Sequence, residues 1–234
     1  DATILVGAGS RLQIPVSCVE AGRWDGRRSQ EAFAPAPQAA HPELRRRKSR
    51  RVQANLEAGG AARPDQNEVW DTVGAKAQRM AVRSATGALN DVYEGHRSRL
   101  QRFREALPLR DGQSGALVAI GGRFVVCDWV SRPEVFASLY DALLQGYALD
   151  ALECDLERSP SKEEAEAFVE LAMGAPGSER DGIGLGREVR FAESSLIGTG
   201  LVAGRELVQL TVHDGVSDEA TRPGSLSAGR IRRP

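Results

Sequence analysis

A turn near the start of the chain brings four chemically versatile side chains within seven residues: Cys18, Glu20, Arg23 and Trp24. A thiol can act as a nucleophile when a base or a cation stabilises its thiolate. A carboxylate can transfer protons, and a guanidinium binds phosphate or carboxylate through its planar fork. An indole can pack against a nucleotide base. The combination predicts a site for an anionic ligand.

The same residues have structural interpretations, and their spacing does not decide between the two. Cys18 is either a nucleophile or a small apolar residue buried at a strand end. Arg23 either forms an ion pair with Glu20 across the turn or faces a ligand. A nucleophilic thiol also needs a base, and none of the histidines is close to Cys18 in the sequence. The chain has three of them: His41, His96 and His213.

A second group of candidates opens a predicted helix. Asp65 is a plausible N-cap and Glu68 completes a capping box, so capping accounts for both residues. Capping does not account for Gln66. Trp70 lies four residues after Gln66, one turn along the same helical face. Gln66 and Trp70 are therefore either ligand contacts or, for Trp70, part of the core.

Two further clusters contain polar side chains near helices. The run Ser84-Ala85-Thr86-Gly87 precedes Asp91 and Tyr93, and it places hydroxyls at a predicted helix N-terminus, where an anion can bind or where the helix is simply capped. Tyr147, Asp150 and Glu153 are spaced at i, i+3 and i+6, and with Asp128 they are candidates for a carboxylate cluster. Such a cluster would hold a hard cation, Mg²⁺ or Ca²⁺. The scarcity of histidine argues against catalytic zinc.

The pattern along the chain predicts an α+β fold in which N-terminal strands, a central hairpin and C-terminal strands form an antiparallel or mixed sheet packed by about five helices. The predicted strands are Ala2–Val6, Arg11–Val16, Ser114–Ile120, Arg123–Asp128, Glu188–Ala192, Leu196–Val202 and Leu207–Val212. The predicted helices are Glu43–Glu57, Gln66–Met80, Val92–Ala106, Glu134–Leu144 with Tyr147–Leu152 continuing or following it, and one from Ser161 to about Met173. Asp25–Pro42 and Gly174–Gly186 are predicted loops. The basic run Arg45–Arg51 is typical of a solvated helix face.

The length of 234 residues allows one large domain or two small ones. We assign residues 1–213 to one α+β domain and 214–234 to a disordered tail. The net charge of −1 gives no indication of a nucleic-acid or membrane partner. Three widely spaced cysteines fit a reducing cytosol, and the excess of arginine over lysine suggests a GC-rich bacterial genome. Because the chain opens directly on strand-like sequence, we expect that a segment preceding Asp1 is missing.

Several blocks of the sequence resemble one prokaryotic family. They are, in order, Ile14-Pro15-Val16-Ser17-Cys18-Val19-Glu20-x-Gly22-Arg23-Trp24, Leu44 with the basic helix, Asp65-Gln66-x-x-Val69-Trp70, Ser84-x-Thr86-Gly87-Ala88 with Asp91 and Tyr93, Gln113-x-Gly115-Ala116, Ala119-Ile120-Gly121-Gly122, Asp128, and Tyr147-Ala148-Leu149-Asp150-Ala151-Leu152. The chain is similar over about residues 1–213 to the ARG and rhodanese-phosphatase-superfamily-associated protein domain. Two departures are the absence of a Gly-x-Lys-Gln-Asn-Arg-like motif before Asp1 and Ala85 in place of a proline.

The resemblance implies a context of ADP-ribose or NAD metabolism, because "ARG" denotes ADP-ribosylglycohydrolase. The expected function is an enzyme that hydrolyses a glycosidic or phosphate linkage of an ADP-ribose- or NAD-derived nucleotide, with Mg²⁺ a possible cofactor. The alternatives are a nucleotide-sensing module and a scaffold that recruits an ADP-ribosyl hydrolase through the basic helix. Catalytic candidates are Glu20, Cys18 and Asp150. Candidates for substrate binding are Arg23, Trp24, Asp65, Gln66, Trp70, Thr86, Tyr93 and Tyr147.

Overall fold

The computed structural model describes residues 3–26, 36–155, 158–193 and 195–215. Within these residues the chain forms six helices and six strands. The helices are α1 (Pro42–Glu57), α2 (Gln66–Arg79), α3 (Leu89–Gly95), α4 (Arg97–Ala106), α5 (Pro133–Ala151) and α6 (Lys162–Gly174). The strands are β1 (Gly115–Ile120), β2 (Arg123–Val130), β3 (Ser178–Asp181), β4 (Arg187–Glu193), β5 (Leu196–Ala203) and β6 (Glu206–Asp214). None of the helices in this part of the chain is both long and apolar enough to cross a membrane.

The strands form one antiparallel sheet in the order β1-β2-β6-β5-β4-β3. Gly121 and Gly122 join β1 to β2 with φ values of 59° and 77°. A two-residue hairpin turn of this type needs positive φ at both positions, which glycine adopts without a steric cost. The glycine pair therefore sets the register of β1 against β2.

Helices cover both faces of this sheet. Helix α1 contacts β4, β5 and β6, whereas α5 contacts β1 and β2. Helix α6 lies on the opposite face, where Ala172 and Phe168 pack with Phe191 and Val212. A separate core among α1 to α5 is formed by Leu44, Val69, Val73, Met80, Leu89, Val92, Tyr93, Leu100, Ala148 and Leu149.

The sheet face under α1 carries an unusual row of buried polar residues. Asp128, Thr211, Thr199 and Arg190 are directly opposite one another across β2, β6, β5 and β4. Directly opposed residues share one face of a sheet. All four are at most 5% exposed. The contact between α1 and the sheet is thus polar, and its charges need internal partners.

The predicted α+β class with a central hairpin and C-terminal strands is confirmed. The two predicted N-terminal strands are wrong over their described residues, because Thr3–Glu20 forms only isolated bridges, Leu5 to Leu185 and Glu20 to Ala88. The basic helix is also not a simple solvated face, since Arg45 and Arg46 are buried. The predicted tail beyond Gly215, and residues 27–35 of the predicted loop, lie outside the described residues.

Three element boundaries also differ from the prediction. The helix expected over Val92–Ala106 is two helices, α3 and α4, which meet at His96. The two predicted segments Glu134–Leu144 and Tyr147–Leu152 are one continuous helix, α5. The predicted loop Gly174–Gly186 contains the short edge strand β3, whose sequence Ser178-Glu179-Arg180-Asp181 has no apolar residue to indicate a strand.

Candidate functional site

The turn formed by residues 18–24, here called the Glu20 turn, is attached to the loop that precedes α3. The backbone N–H of Gly22 donates to the carbonyl of Thr86 at 2.7 Å, and that of Leu89 donates to the carbonyl of Val19 at 2.9 Å. The two segments are joined by backbone hydrogen bonds, as neighbouring strands would be, although the Glu20 turn is not itself a strand. The sequence blocks around Glu20 and Thr86, distant in the chain, are therefore adjacent in space.

Glu20 lies at the centre of this arrangement, with 8% of its surface exposed. The hydroxyl of Thr86 donates to Glu20 Oε1 at 2.6 Å, and Arg23 Nη1 donates to Glu20 Oε2 at 3.3 Å. The buried carboxylate therefore accepts hydrogen bonds from both a hydroxyl and a guanidinium. The ion pair between Glu20 and Arg23, one of the two interpretations left open by the sequence, is present.

The side chain of Gln66 binds the backbone of the Glu20 turn. Its Oε1 accepts from the backbone N–H of Cys18 at 2.9 Å, and its Nε2 donates to the carbonyl of Cys18 at 2.7 Å. The side-chain amide thus pairs with one residue as a neighbouring strand would. Trp70 follows one turn along α2, and its Nε1 is buried without a hydrogen-bond partner. Asp65 acts as the N-cap of α2 and accepts from the backbone N–H groups of Asn67 and Glu68.

The hydrogen bonds that the described residues make to Cys18 involve no histidine. Its thiol donates to the carbonyl of Glu20 at 3.2 Å. All three histidines are placed elsewhere: His96 Nε2 lies 3.1 Å from the carbonyl of Met80, His41 lies against Asp150, and His213 is buried in β6. A thiol that donates to a backbone carbonyl, with no histidine beside it, fits the interpretation of Cys18 as a packing residue better than that of a nucleophile.

Trp24 projects from the outer side of the Glu20 turn. Its surface is 78% exposed, an unusual state for an indole, and the guanidinium carbon of Arg23 lies 6.0 Å from the ring centroid. This distance is the outer limit of a cation–π contact. Arg23 itself is 21% exposed, so solvent reaches its side chain even though it pairs with Glu20. Two further exposed apolar side chains, Ile14 and Val16, precede the turn.

Asp150 belongs to a different and more deeply buried group of charges. Its Oδ1 lies 2.6 Å from Lys76 Nζ and 2.8 Å from His41 Nδ1, while the backbone N–H of Glu43 donates to its Oδ2 at 2.9 Å. Burial alone would raise the pKa of Asp150, but His41 and Lys76 outweigh it and lower that pKa. Lys76 also pairs with Glu153, so one fully buried ammonium joins two carboxylates.

The same cluster contains the one arrangement of possible metal ligands that we find among the described residues. His41, Glu43 and Asp150 each offer a ligand atom, and these atoms lie within 4.8 Å of one another. Lys76 and Arg79 already neutralise this group, because Arg79 pairs with Glu43 at 2.6 Å and with Glu153 at 2.7 Å. A divalent cation would have to displace Lys76. The predicted hard-cation site at Asp150 is thus filled by side-chain cations, and the cluster fits a structural role.

Asp128 and Tyr147 form a third group under α1. The Tyr147 hydroxyl donates to Asp128 Oδ2 at 2.7 Å, and Arg45 forms a bidentate pair with both carboxylate oxygens at 2.7 and 2.6 Å. Thr211 donates to Oδ1 at 2.6 Å. Burial tends to raise the pKa of Asp128, but Arg45 and these hydrogen bonds hold it at about 2. Burial also raises the pKa of Tyr147 well above its ordinary value.

The structure therefore brings together five of the predicted site residues, places three more beside them, and moves three others into the interior. Hydrogen bonds connect Gln66 to Cys18, Cys18 to Glu20, and Glu20 to both Arg23 and Thr86. Trp24 follows Arg23 in the chain, and Asp65 and Trp70 lie on either side of Gln66 at the start of α2. The others are Asp150, Tyr147 and Tyr93, whose hydroxyl donates to the carbonyl of Ala39 at 2.6 Å. Sequence reasoning missed Arg45, Lys76 and His41 as partners of the buried acids, because charged residues on helices are usually exposed.

A family profile decides the relationship of this chain to known proteins. The profile described as "ARG and Rhodanese-Phosphatase-superfamily-associated Protein domain" matches residues 1–213. The chain belongs to this family. No curated protein and no solved structure matches the chain. The matched range includes both the Glu20 turn and the buried Asp150 cluster.

Proposed function

We propose that the Glu20 turn binds an ADP-ribose- or NAD-derived nucleotide, with Trp24 against the base and Arg23 on a phosphate. The observation that carries the proposal is the exposed indole of Trp24 next to the Arg23 guanidinium. Aromatic faces bind nucleotide bases by stacking, and the planar fork of arginine suits phosphate oxygens. The family description, in which ARG refers to an ADP-ribosylglycohydrolase, supports the choice of nucleotide.

The anchoring of the turn supports the proposal further. Glu20 pairs with Arg23, Thr86 donates a hydrogen bond to Glu20, and Gln66 donates one to the backbone carbonyl of Cys18. Each of these contacts reduces the freedom that a surface loop would otherwise lose on binding. A preorganised loop with an exposed indole is a better binding surface than a mobile one. Ile14 and Val16, which precede the turn in the chain, are also exposed apolar side chains.

Hydrolysis of the nucleotide is the second candidate, and the burial of Glu20 favours it. A carboxylate with little solvent contact is the usual type of residue for proton transfer to or from a water that attacks a glycosidic or phosphate linkage. In the present arrangement both oxygens of Glu20 accept hydrogen bonds, from Thr86 and Arg23. Acid–base work by Glu20 would require Arg23 to move to the substrate phosphate and release Oε2.

A thermal-shift screen tests binding. ADP-ribose, NAD, AMP and phosphate are added separately, with and without Mg²⁺, because a ligand that binds the folded state raises the melting temperature. We expect ADP-ribose or NAD to raise it for the wild-type protein and for Arg99→Gln, a control at an exposed arginine on α4. Arg23→Gln should lose most of the shift. Equal shifts in all three proteins would place the ligand elsewhere.

Glu20→Gln distinguishes the binder from the hydrolase. Glutamine keeps an acceptor for Thr86 but removes the titrating group. If the protein only binds nucleotide, the wild type shows no turnover and the variant keeps most of the affinity. If the protein is a hydrolase, the wild type releases product, measured by chromatography, and the variant binds ADP-ribose without releasing it.

A further inference from the structure

Strand β1 is one edge of the sheet, since among the described strands it pairs with β2 alone. The N–H of Val130 in β2 donates to the carbonyl of Ser114, the residue before β1, at 2.9 Å. Residues of an antiparallel pair alternate between hydrogen-bonded and non-hydrogen-bonded positions. Counted from Ser114, Ala116 and Val118 are therefore bonded to β2, whereas the backbone N–H and C=O of Leu117 face outward.

The outward backbone groups of β1 belong to Gly115, Leu117 and Ala119. The bulge opposite Val118 and Ala119 has its extra residue in β2, so the alternation along β1 is kept. The carbonyl of Gly115 accepts from Gln113 Nε2 at 2.9 Å and keeps a second lone pair. In the part of the chain that the structure describes, no hydrogen bond is made to the outward groups of Leu117 or Ala119. Such an edge is a template for another strand.

The two edges of the sheet differ in how they are protected. Proteins usually protect an edge by a short strand, by charged side chains or by proline. Strand β3, at the other edge, has only four residues and includes Glu179, Arg180 and Asp181. Strand β1 has six residues, Gly115–Ile120, and contains neither a charged residue nor a proline. Of the two edges, β1 is therefore the one suited to pair with a further strand.

The outward side of β1 is complementary to itself. When two copies of β1 lie antiparallel about a two-fold axis at Leu117, Gly115 of each copy is opposite Ala119 of the other. The outward positions of one copy then become the hydrogen-bonded positions of the new pair, and the two Leu117 residues exchange both of their backbone hydrogen bonds. Small residues at both ends leave room for the two leucine side chains, which share one face. A pairing of this symmetry is limited to two copies, because the same edge is used by both.

We propose that β1 is a homodimerisation edge, at which two copies of this chain pair antiparallel through residues Gly115 to Ala119. The dimer has one continuous sheet with six strands from each copy. Because the contact is centred on five residues of each copy, it is small, and we expect the dimer to dissociate on dilution. The inference does not depend on the proposed nucleotide site, since no residue of β1 belongs to the Glu20 turn.

Analytical ultracentrifugation of the full chain, at concentrations from about 1 μM to 1 mM, measures the dissociation constant of the dimer. Ala119→Lys adds an ammonium at the edge and removes no buried side chain, because Ala119 is exposed. Ala75→Lys is the matched control at an exposed position of α2, a helix that packs on α1 and α3. We expect the wild type and Ala75→Lys to dimerise alike. The dissociation constant of Ala119→Lys should be at least about ten-fold higher, because both copies carry the added charge at the shared edge.

Amide hydrogen exchange of the wild type, followed by NMR, locates the contact without any variant. The N–H of Val118 is bonded to β2 in both the monomer and the dimer, whereas that of Leu117 is bonded only in the dimer. Exchange at Leu117 should slow about ten-fold when roughly nine-tenths of the chains are dimeric, since only the remaining monomer exchanges freely, and exchange at Val118 should change little.

Three results would each overturn the proposal. The first is a wild type that stays monomeric up to about 1 mM. The second is equal dimerisation of Ala119→Lys and Ala75→Lys, which would place the contact on another surface. The third is an exchange rate at Leu117 that does not depend on protein concentration.

Discussion

Replacing Arg45 by methionine should destabilise the protein strongly, although Arg45 belongs to a run of basic residues on a helix. Its guanidinium forms the bidentate pair with Asp128 and is 6% exposed. The variant leaves the Asp128 carboxylate buried with only two hydroxyl donors, from Tyr147 and Thr211. Removing one partner of a buried ion pair costs about 3–5 kcal/mol, because the remaining charge is no longer compensated.

The matched control is Arg51→Met on the same helix. Arg51 pairs with Glu68 at 2.8 Å, but its side chain is 45% exposed, and surface pairs of this kind contribute about 0–1 kcal/mol. Both variants lose one arginine and gain one methionine, so helix propensity and net charge change equally. The measurement is urea unfolding at neutral pH, with the free energy obtained by linear extrapolation and the m value used to check that unfolding stays two-state.

The double variant Arg45→Met with Asp128→Asn removes both charges. We expect it to be more stable than the sum of the single effects predicts, by up to about 3 kcal/mol, because no uncompensated charge remains. The polar contact between α1 and the sheet would be refuted if Arg45→Met lowered the free energy of unfolding by less than about 1 kcal/mol, or if Arg45→Met and Arg51→Met lowered it equally. It would restore the interpretation of the basic run as a solvated face.

Four further predictions each concern a single substitution. Asp128 has a pKa of about 2 in the folded protein against an ordinary 3.8, so its ionised form contributes about 2 kcal/mol to the free energy of unfolding above pH ~4. This contribution is lost as the pH falls towards 2. Between these pH values the free energy of unfolding should therefore decrease less steeply for Asp128→Asn than for the wild type. Cys18→Ser should leave nucleotide binding and any turnover unchanged in the assays above, because the thiol only donates to a backbone carbonyl. Gly74→Ala should raise the free energy of unfolding by about 0.5–1 kcal/mol, since a Cβ there meets open space on α2. Gly198→Ala should lower it by more than 1–3 kcal/mol, roughly the cost of ordinary overpacking, since its Cβ would lie 1.9 Å from the Phe191 ring.

Features that depend on neighbouring residues were predictable from the sequence. Asp65 caps α2, Ser161 and Glu164 form a capping box at α6, and Gly121-Gly122 makes the hairpin turn. Each follows from a rule that spans two to four residues. Glu20 and Thr86 are in contact although they are 66 positions apart. Only the resemblance to a family, in which both belong to matching blocks, suggested that they share a site.

Features that depend on distant partners were not predictable. Arg45 pairs with Asp128 across 83 positions, and Lys76 pairs with Asp150 across 74. Read locally, both cations belong to exposed helix surfaces, and only the packing of α1 and α2 against α5 and the sheet buries them. The prediction of N-terminal strands was wrong for a related reason. Apolar, β-branched residues over 3–16 favour extended backbone, but within the described residues their one bridge is from Leu5 to Leu185.

The most direct test of the proposed nucleotide site is the affinity of ADP-ribose for Trp24 variants, measured by isothermal titration calorimetry. Trp24 is 78% exposed, so its replacement leaves the core unchanged and a loss of affinity cannot be attributed to unfolding. Stacking of a base on an aromatic ring contributes about 1–3 kcal/mol, so Trp24→Ala should weaken binding about 5- to 150-fold while Trp24→Phe keeps most of the affinity. Equal affinity of Trp24→Ala and the wild type, or no binding of ADP-ribose or NAD by the wild type, would contradict the account.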